Sequence, residues 1–143
     1  MRLFSRFRAE RRLEEELGKG VWRRVHDRFR RGLDRFHQIL EGIDDPALHE
    51  AAVPLADQLA EGLPRVHRLC RRAQKIAPSE NFELPQGDLN ALHRELSQAA
   101  NALATAAEAL AMARFGEADM PAVRRRVARV EEHLSAAEQL PGL

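Results

Sequence analysis

The chain contains six histidines, the side chains that most often bind transition metals. They are His26, His37, His49, His67, His93 and His133. Metal ligands in helical bundles project inward, typically from Glu-x-x-His pairs. No such pair occurs. The most similar motifs, Asp34-x-x-His37 and Asp45-x-x-x-His49, fall on the flank or surface of their segments. We therefore expect surface histidines, no metal ligand and no bound cofactor.

Candidate nucleophiles lack the partners that catalysis requires. The hydroxyl and thiol side chains considered are Ser5, Ser79, Ser97, Thr105, Ser135 and Cys70. None follows a glycine-rich elbow or phosphate loop, and none has a recognisable base beside it in the sequence. Cys70 lies at the edge of an apolar stripe, where an inert thiol is the usual outcome. We expect no enzymatic activity and assign no catalytic residue.

Residues 1–12 combine apolar and basic side chains. If they are helical, Leu3, Phe4 and Phe7 lie beside a cluster of arginines, as in helices that bind anionic lipid headgroups or an acidic partner. The arginines are Arg2, Arg6, Arg8, Arg11 and Arg12. The alternative is a solvated tail whose phenylalanines pack back on the core.

Charge is spread unevenly along the chain. The whole chain has 23 basic and 22 acidic residues and a net charge of +1, which does not indicate a globally basic nucleic-acid binder. Residues 1–35, however, hold twelve basic and six acidic residues, which gives 12 − 6 = +6 and leaves −5 for the rest. A charged binding surface is therefore expected at the N-terminal end.

A second group of arginines recurs at a spacing of seven residues and could line one strip of a helix that binds nucleic acid. These are Arg23, Arg24, Arg30 and Arg31. Asp27 and Asp34 recur beside them, within reach of ion pairs with Arg23, Arg30 and Arg31. Nucleic-acid binding through this strip is kept as an alternative, and self-neutralised arginine is the favoured interpretation.

Four segments repeat apolar residues at alternating spacings of three and four, the pattern of a helix that buries one stripe. The stripes run from Trp22 to Ile43, Leu48 to Ile76, Leu89 to Ala113 and Val123 to Ala137. Each consists of apolar residues and glycine. Together with a composition that is 44% hydrophobic and only 5% aromatic, this pattern favours an all-α domain.

The segments between the stripes contain helix stop and start signals. Asp45-Pro46 and Asp119-Met120-Pro121 are typical of an N-cap followed by proline in the first turn. The sequence therefore predicts an antiparallel up-down-up-down four-helix bundle at 21–143, with heptad-like packing and helices at about 21–42, 46–77, 88–115 and 120–139. Residues 1–20 are predicted to form a basic amphipathic N-terminal arm.

Two features complicate this prediction. Pro54 and Pro64 lie inside the second helix, on its outer face, so we expect that helix to be bent or locally broken. Gly18 and Gly20 could either end a short helix or weaken one that continues into the first bundle helix. Leu13 and Leu17 continue an apolar row, so residues 13–20 are expected to pack against the end of the second helix.

The predicted topology brings the arm to the same end of the molecule as a second basic group. That group is Arg65, Arg68, Arg71, Arg72, Lys75 and Arg94. The candidate interaction surface comprises Arg2, Phe4, Arg6, Phe7, Arg8, Arg11, Arg12, Arg68, Arg71 and Arg72.

We predict a non-enzymatic protein that acts through protein–protein contacts, with the arm as its docking surface and a partner of unknown identity. The first alternative is peripheral binding to an anionic membrane through residues 1–12. Self-association is a further alternative, because the fourth helix is too short to cover Leu89 and Leu92; the other possibility is that the tail at 140–143 folds over them. No apolar run approaches the ~20 residues of a spanning helix, so a cytoplasmic protein, at most peripheral to a membrane, is expected.

Overall fold

All regular secondary structure in the described part of the chain is helical. The computed structural model describes residues 2–81, 83 and 88–143, and within them there are five α-helices and no strand. They are α1 (Arg2–Leu17), α2 (Val21–Glu41), α3 (Pro46–Ile76), α4 (Asp88–Arg114) and α5 (Met120–Glu138). The bounds of α2 to α5 lie within one residue of the predicted bounds. The all-α class is confirmed, and the arm adds a fifth helix.

Aspartate caps begin two of the helices. The side chain of Asp45 accepts a hydrogen bond from Ala47 N at 3.1 Å, and that of Asp119 accepts one from Ala122 N at 3.0 Å. A proline follows each cap within the first two helical positions, where its missing N–H removes no intrahelical bond. The predicted start signals are therefore confirmed.

Helix α3 passes through both of its internal prolines without interruption. Pro54 and Pro64 are exposed, and one helix extends from Pro46 to Ile76. Because both rings lie on the outer face, the buried side of α3 keeps its apolar stripe. Of the two predicted alternatives, the local break does not occur, and the bend stays a prediction.

The core lies between α2, α3, α4 and α5. The largest fully buried side chains, Trp22, Phe29 and Phe36, all belong to α2 and recur every seven residues. Helix α2 contacts α3 and α4, and α5 also contacts α3 and α4. Leucine, valine and alanine from α4 and α5 fill the space around the α2 aromatic side chains.

The order of the contacts differs between helix pairs. Between α2 and α3 the order is reversed. Trp22, at the start of α2, donates from Nε1 to Ala77 O, just after α3, at 3.3 Å. Phe29, later in α2, faces Gly62, which comes earlier in the chain than Ala77. Between α2 and α4 the order is the same, because Trp22 contacts His93 and Gly32 faces Leu103.

Helix α1 ends at a glycine turn and is a separate element from α2. Gly18 has φ +74°, and its N–H donates to Glu14 O at 2.9 Å, which is the αL type of helix ending. A Cβ on Gly18 would also lie 2.9 Å from the backbone oxygen of Ser79. Both the backbone angle and the close approach explain why glycine stands here. The alternative of a helix continuing from the arm into α2 was wrong.

Leu89 and Leu92, which the sequence predicts to be left uncovered by the last helix, are largely covered by other parts of the same chain. Leu92 is fully buried, Leu89 is half-buried, and Leu140 and Leu143 pack against the core from beyond α5. The expectation that α5 leaves Leu92 uncovered was wrong, and self-association stays a prediction without that support. Among the described helices, none is long and apolar enough to cross a membrane.

Candidate functional site

The first half of α1 exposes large apolar side chains to solvent. Leu3, Phe4 and Phe7 are 75%, 68% and 66% exposed. Phe7 lies three residues after Phe4 and four after Leu3, so the three side chains form one ridge on the helix. The predicted alternative, in which the phenylalanines pack back on the core, was wrong. Together with Arg2, Arg6, Arg8, Arg11 and Arg12, this ridge is called the arm surface below.

The arm surface carries a strong positive charge. Its five arginines form no ion pair with any residue that the structure describes. The one acidic residue among residues 2–12, Glu10, contacts Arg23 and Arg30 of α2 instead. The arginines of the arm surface therefore remain available to an anionic partner.

Only the C-terminal end of α1 is buried. Leu17 is fully buried and Leu13 is half-buried against the core, whereas residues 2–12 are all exposed. Glu16 Oε2 lies 2.7 Å from His67 Nε2 on α3, which adds an ion-pairing contact when His67 is protonated. The arm is thus a helix held at one end, and its free half carries the exposed ridge.

A second group of basic side chains lies on α3. Arg68, Arg71, Arg72 and Lys75 are exposed and together form what we call the α3 basic face. They line a cavity of about 450 Å³ with Arg65, Leu69, Glu138 and Leu143. The four side chains make no ion pair among the described residues.

Arg65 differs from the α3 basic face because it is held by two carboxylates of α5. Its Nη2 lies 2.6 Å from Glu138 Oε1, and its Nη1 lies 2.6 Å from Glu131 Oε2. The hydrogen bonds with Glu138 and Glu131 raise the pKa of Arg65, and the hydrogen bond from Arg65 lowers the pKa of Glu131. Arg65 therefore joins α3 to α5.

The contacts of α1 bear on the predicted interaction surface, which joins the arm surface to Arg68, Arg71 and Arg72 of α3. From Leu17, beside the end of α3, α1 leads back along α2, because Glu10 pairs with Arg23 and Arg30. None of the α1 residues that the structure describes lines the α3 cavity. The arm surface instead adjoins a cavity of about 390 Å³ formed with Arg23 of α2. The two cavities thus have different linings, and the single interaction surface stays a prediction.

The arginine strip of α2 is partly neutralised. Asp27 Oδ2 accepts from Arg23 Nε at 2.9 Å, and Asp27 Oδ1 lies 3.6 Å from Arg30 Nη2. Glu10 reaches the same two arginines from α1. The predicted pairing of Asp27 with Arg23 is confirmed, whereas the predicted ion pairs of Asp34 and of Arg31 are not found among the described residues. Glu10 of α1 supplies a further acid that the α2 sequence does not contain.

His26 is buried, contrary to the expectation that all histidines lie on the surface. It is 3% exposed, its Nδ1–H donates to Asp27 Oδ1 at 2.9 Å, and its ring lies edge-on to His67 with centroids 5.8 Å apart. Burial lowers the pKa of His26, and the hydrogen bond to Asp27 opposes this shift only in part. His26 therefore lies in the core beside His67 of α3, where burial disfavours the imidazolium form.

The remaining candidates for chemistry have structural surroundings. Cys70 is fully buried, and burial raises the pKa of its thiol, which disfavours the reactive thiolate. The hydroxyl of Ser79 accepts from Val21 N at 3.1 Å and donates to Asn81 O at 3.1 Å. In the described chain no three His, Cys, Asp or Glu side chains are grouped so that they could hold a metal ion.

Comparisons with protein-family models, with curated proteins and with solved structures found no match to this chain.

Proposed function

We propose that this protein is a non-enzymatic helical module that acts by docking the free half of α1 onto a protein partner. The observation that carries the proposal is the exposed ridge of Leu3, Phe4 and Phe7 flanked by unpaired arginines. An amphipathic helix of this kind fits an apolar groove with an acidic rim, the common helix-in-groove mode of recognition. The partner is therefore expected to combine those two features.

We take α2 to α5 as a four-helix bundle in which chain direction alternates along the sequence. The contacts of α2 with α3 and α4, and of α5 with the same two helices, support this arrangement. So do the reversed order of contacts between α2 and α3 and the common order between α2 and α4. In this view the bundle is the rigid base and α1 is the element that binds.

Burial of the ridge would supply much of the docking free energy. Burying a whole phenylalanine side chain contributes ~1.5–3 kcal/mol. Because Phe4 and Phe7 are 68% and 66% exposed, about two thirds of that, ~1–2 kcal/mol each, is still available to a partner. Loss of both rings should therefore weaken docking by at least ~2 kcal/mol, which is about 30-fold.

The test uses the full chain and compares two variants in a capture experiment from cells of the native host. Phe4→Ser with Phe7→Ser removes the ridge, and Phe115→Ser removes another phenylalanine that is 71% exposed but lies beyond α4. A specific partner should be retained by the wild type and by Phe115→Ser and be lost with the double variant. Equal retention by all three proteins would contradict docking through α1.

A second candidate is peripheral binding to an anionic membrane through the same arm surface. It is favoured by the arrangement of arginines on both sides of the apolar ridge, which suits a helix lying in the headgroup region. Sedimentation with phosphatidylserine vesicles should then fall with added salt and with Phe4→Ser plus Phe7→Ser. Absence of co-sedimentation at low salt would rule this candidate out.

A further inference from the structure

The α3 basic face has the features of a binding site for a polyanion. Arg68, Arg71, Arg72 and Lys75 follow one another at spacings of three, one and three residues. Neighbours three or four residues apart face each other on a helix, so the face contains four like-charge pairs, and each such pair is unfavourable. No acidic residue in the described chain pairs with any of them.

Other cationic side chains of this protein are paired with carboxylates. Arg65, one turn earlier on α3, is held by Glu131 and Glu138, and Arg23 on α2 is held by Asp27 and Glu10. Carboxylates thus neutralise Arg65 on the same helix, but none in the described chain pairs with the four side chains of the α3 basic face. A concentrated, unneutralised charge next to a cavity is the arrangement expected where an anion binds.

The shape of the cavity limits the kind of anion. It holds about 450 Å³ and is lined by five cations, one carboxylate and two leucines. Arg68 and Lys75 are seven residues apart and therefore about 10 Å apart along the helix axis, which is longer than a single phosphate group. Aromatic side chains are missing from the described lining, so nothing there could stack on a base.

We infer that the α3 basic face binds a linear phosphate-rich anion, with Arg68, Arg71, Arg72 and Lys75 contacting successive phosphate groups. Guanidinium groups suit this role because they donate two parallel hydrogen bonds to phosphate oxygens. Glu138, the one carboxylate of the described lining, is bound by Arg65, so its charge is compensated there. This site does not depend on docking through α1.

The probe is inorganic tripolyphosphate, and binding to the full chain is measured by titration calorimetry at low salt. We expect saturable binding that weakens as salt is added. Arg68→Gln with Arg72→Gln should weaken binding by about tenfold or more, since each removes charge-assisted hydrogen bonds to phosphate. Circular dichroism checks that the double variant folds, which is expected because both side chains are exposed.

The matched control is Arg124→Gln with Arg125→Gln, which removes the same charge from two exposed arginines of α5. If the α3 basic face is specific, the affinity of this control variant for tripolyphosphate should be within about twofold of the wild-type affinity. Equal weakening by both double variants would show that binding depends only on net charge, which would overturn the inference. No saturable binding, or no loss with Arg68→Gln and Arg72→Gln, would overturn the inference.

A phosphoinositide headgroup has the same chemistry as free polyphosphate, so a second experiment distinguishes the two sources of phosphate. Vesicles containing phosphatidylinositol bisphosphate are tested with the Phe4→Ser plus Phe7→Ser protein, which removes the ridge of the arm surface. Vesicle binding that needs Arg68 and Arg72 would identify a lipid source, and binding of tripolyphosphate alone would identify a soluble one. Retained tripolyphosphate binding by the ridge variant also separates this site from docking through α1.

Discussion

The attachment of α1 to the rest of the protein should depend mainly on one side chain. Leu17 is fully buried and is the only α1 residue with a buried side chain, whereas Leu3 of the same helix is 75% exposed. Leu17→Ala removes buried methyl groups and leaves a cavity, and such changes cost ~2–5 kcal/mol. Leu3→Ala should change the free energy of unfolding by no more than ~0.5 kcal/mol.

The expected loss can be converted to observables. In a chain of this length each kcal/mol lowers the melting temperature by roughly 2–4 °C, so a loss of ~3 kcal/mol lowers it by about 6–12 °C. If α1 detaches before the core unfolds, the loss of global stability is limited to the free energy that holds α1 in place. Tryptic cleavage after Arg11 and Arg12 should then become up to about 150-fold faster, which is the same ~3 kcal/mol expressed as a population.

Leu17→Ala and Leu3→Ala are compared by urea unfolding followed by circular dichroism and by limited proteolysis. A loss below ~1 kcal/mol for Leu17→Ala, with unchanged cleavage at Arg11 and Arg12, would refute the inference that Leu17 anchors the arm. Equal losses for the two variants would refute it as well, because they share residue type and helix and differ in burial. The two variants should also differ in function: Leu3→Ala weakens docking through the ridge without destabilising the fold.

Three further predictions concern buried groups. Because burial lowers the pKa of His26, the unfolded chain takes up a proton more readily as the pH falls through the ordinary value of 6.5, so stability is complete above that pH and declines below it. The free energy of unfolding, measured above and below pH 6.5, should decline less in His26→Gln than in the wild type. A wild-type free energy of unfolding that does not change with pH would contradict the prediction. Gly62→Ala places a Cβ 2.9 Å from Phe29 Cζ and 3.1 Å from Leu134 Cδ1, so its overpacking cost of ~1–3 kcal/mol should equal or exceed the ~1 kcal/mol gain in helix propensity. A clearly more stable variant in urea unfolding would show that the two helices yield at this point. Cys70 should react with a thiol reagent only in denaturant, since it is fully buried and burial raises the pKa of its thiol. Rapid labelling of the native protein would contradict its burial.

The helix bounds could be predicted because local signals determine them. Asp45 and Asp119 are caps whose side chains reach the next free N–H groups, and each is followed by proline in the first turn. Such signals operate within a few residues and need no knowledge of the tertiary structure. For the same reason the bounds of α2 to α5 differ by at most one residue from the prediction.

The burial of His26 could not be predicted from the spacing of apolar residues. The stripe from Trp22 to Ile43 describes a helix with one buried face, but α2 contacts α1 as well as α3 and α4. The buried face of α2 is wider than this stripe and includes Val21 and His26, whose ring lies edge-on to His67 of α3. A periodic pattern in one segment does not reveal how many other segments cover it.

The path of α1 could not be predicted either. It depends on the direction in which α1 leaves the glycine turn, and Gly18 allows a backbone angle that the sequence does not specify. Glu10 and Glu16 show the direction only once their partners on α2 and α3 are known. The course of α1 along α2 therefore needed the structure.

Trp22 makes this protein suitable for optical study without labelling. It is the single tryptophan of a chain that has no tyrosine, so it dominates the ultraviolet emission. Its indole is fully buried, donates to Ala77 O and lies edge-on to His93 at 5.9 Å. Because a protonated imidazole quenches indole fluorescence, the emission intensity should report the charge of His93, and the emission wavelength should report entry of water where α2 meets the end of α3. One native fluorophore thus monitors both events at the same place in the fold.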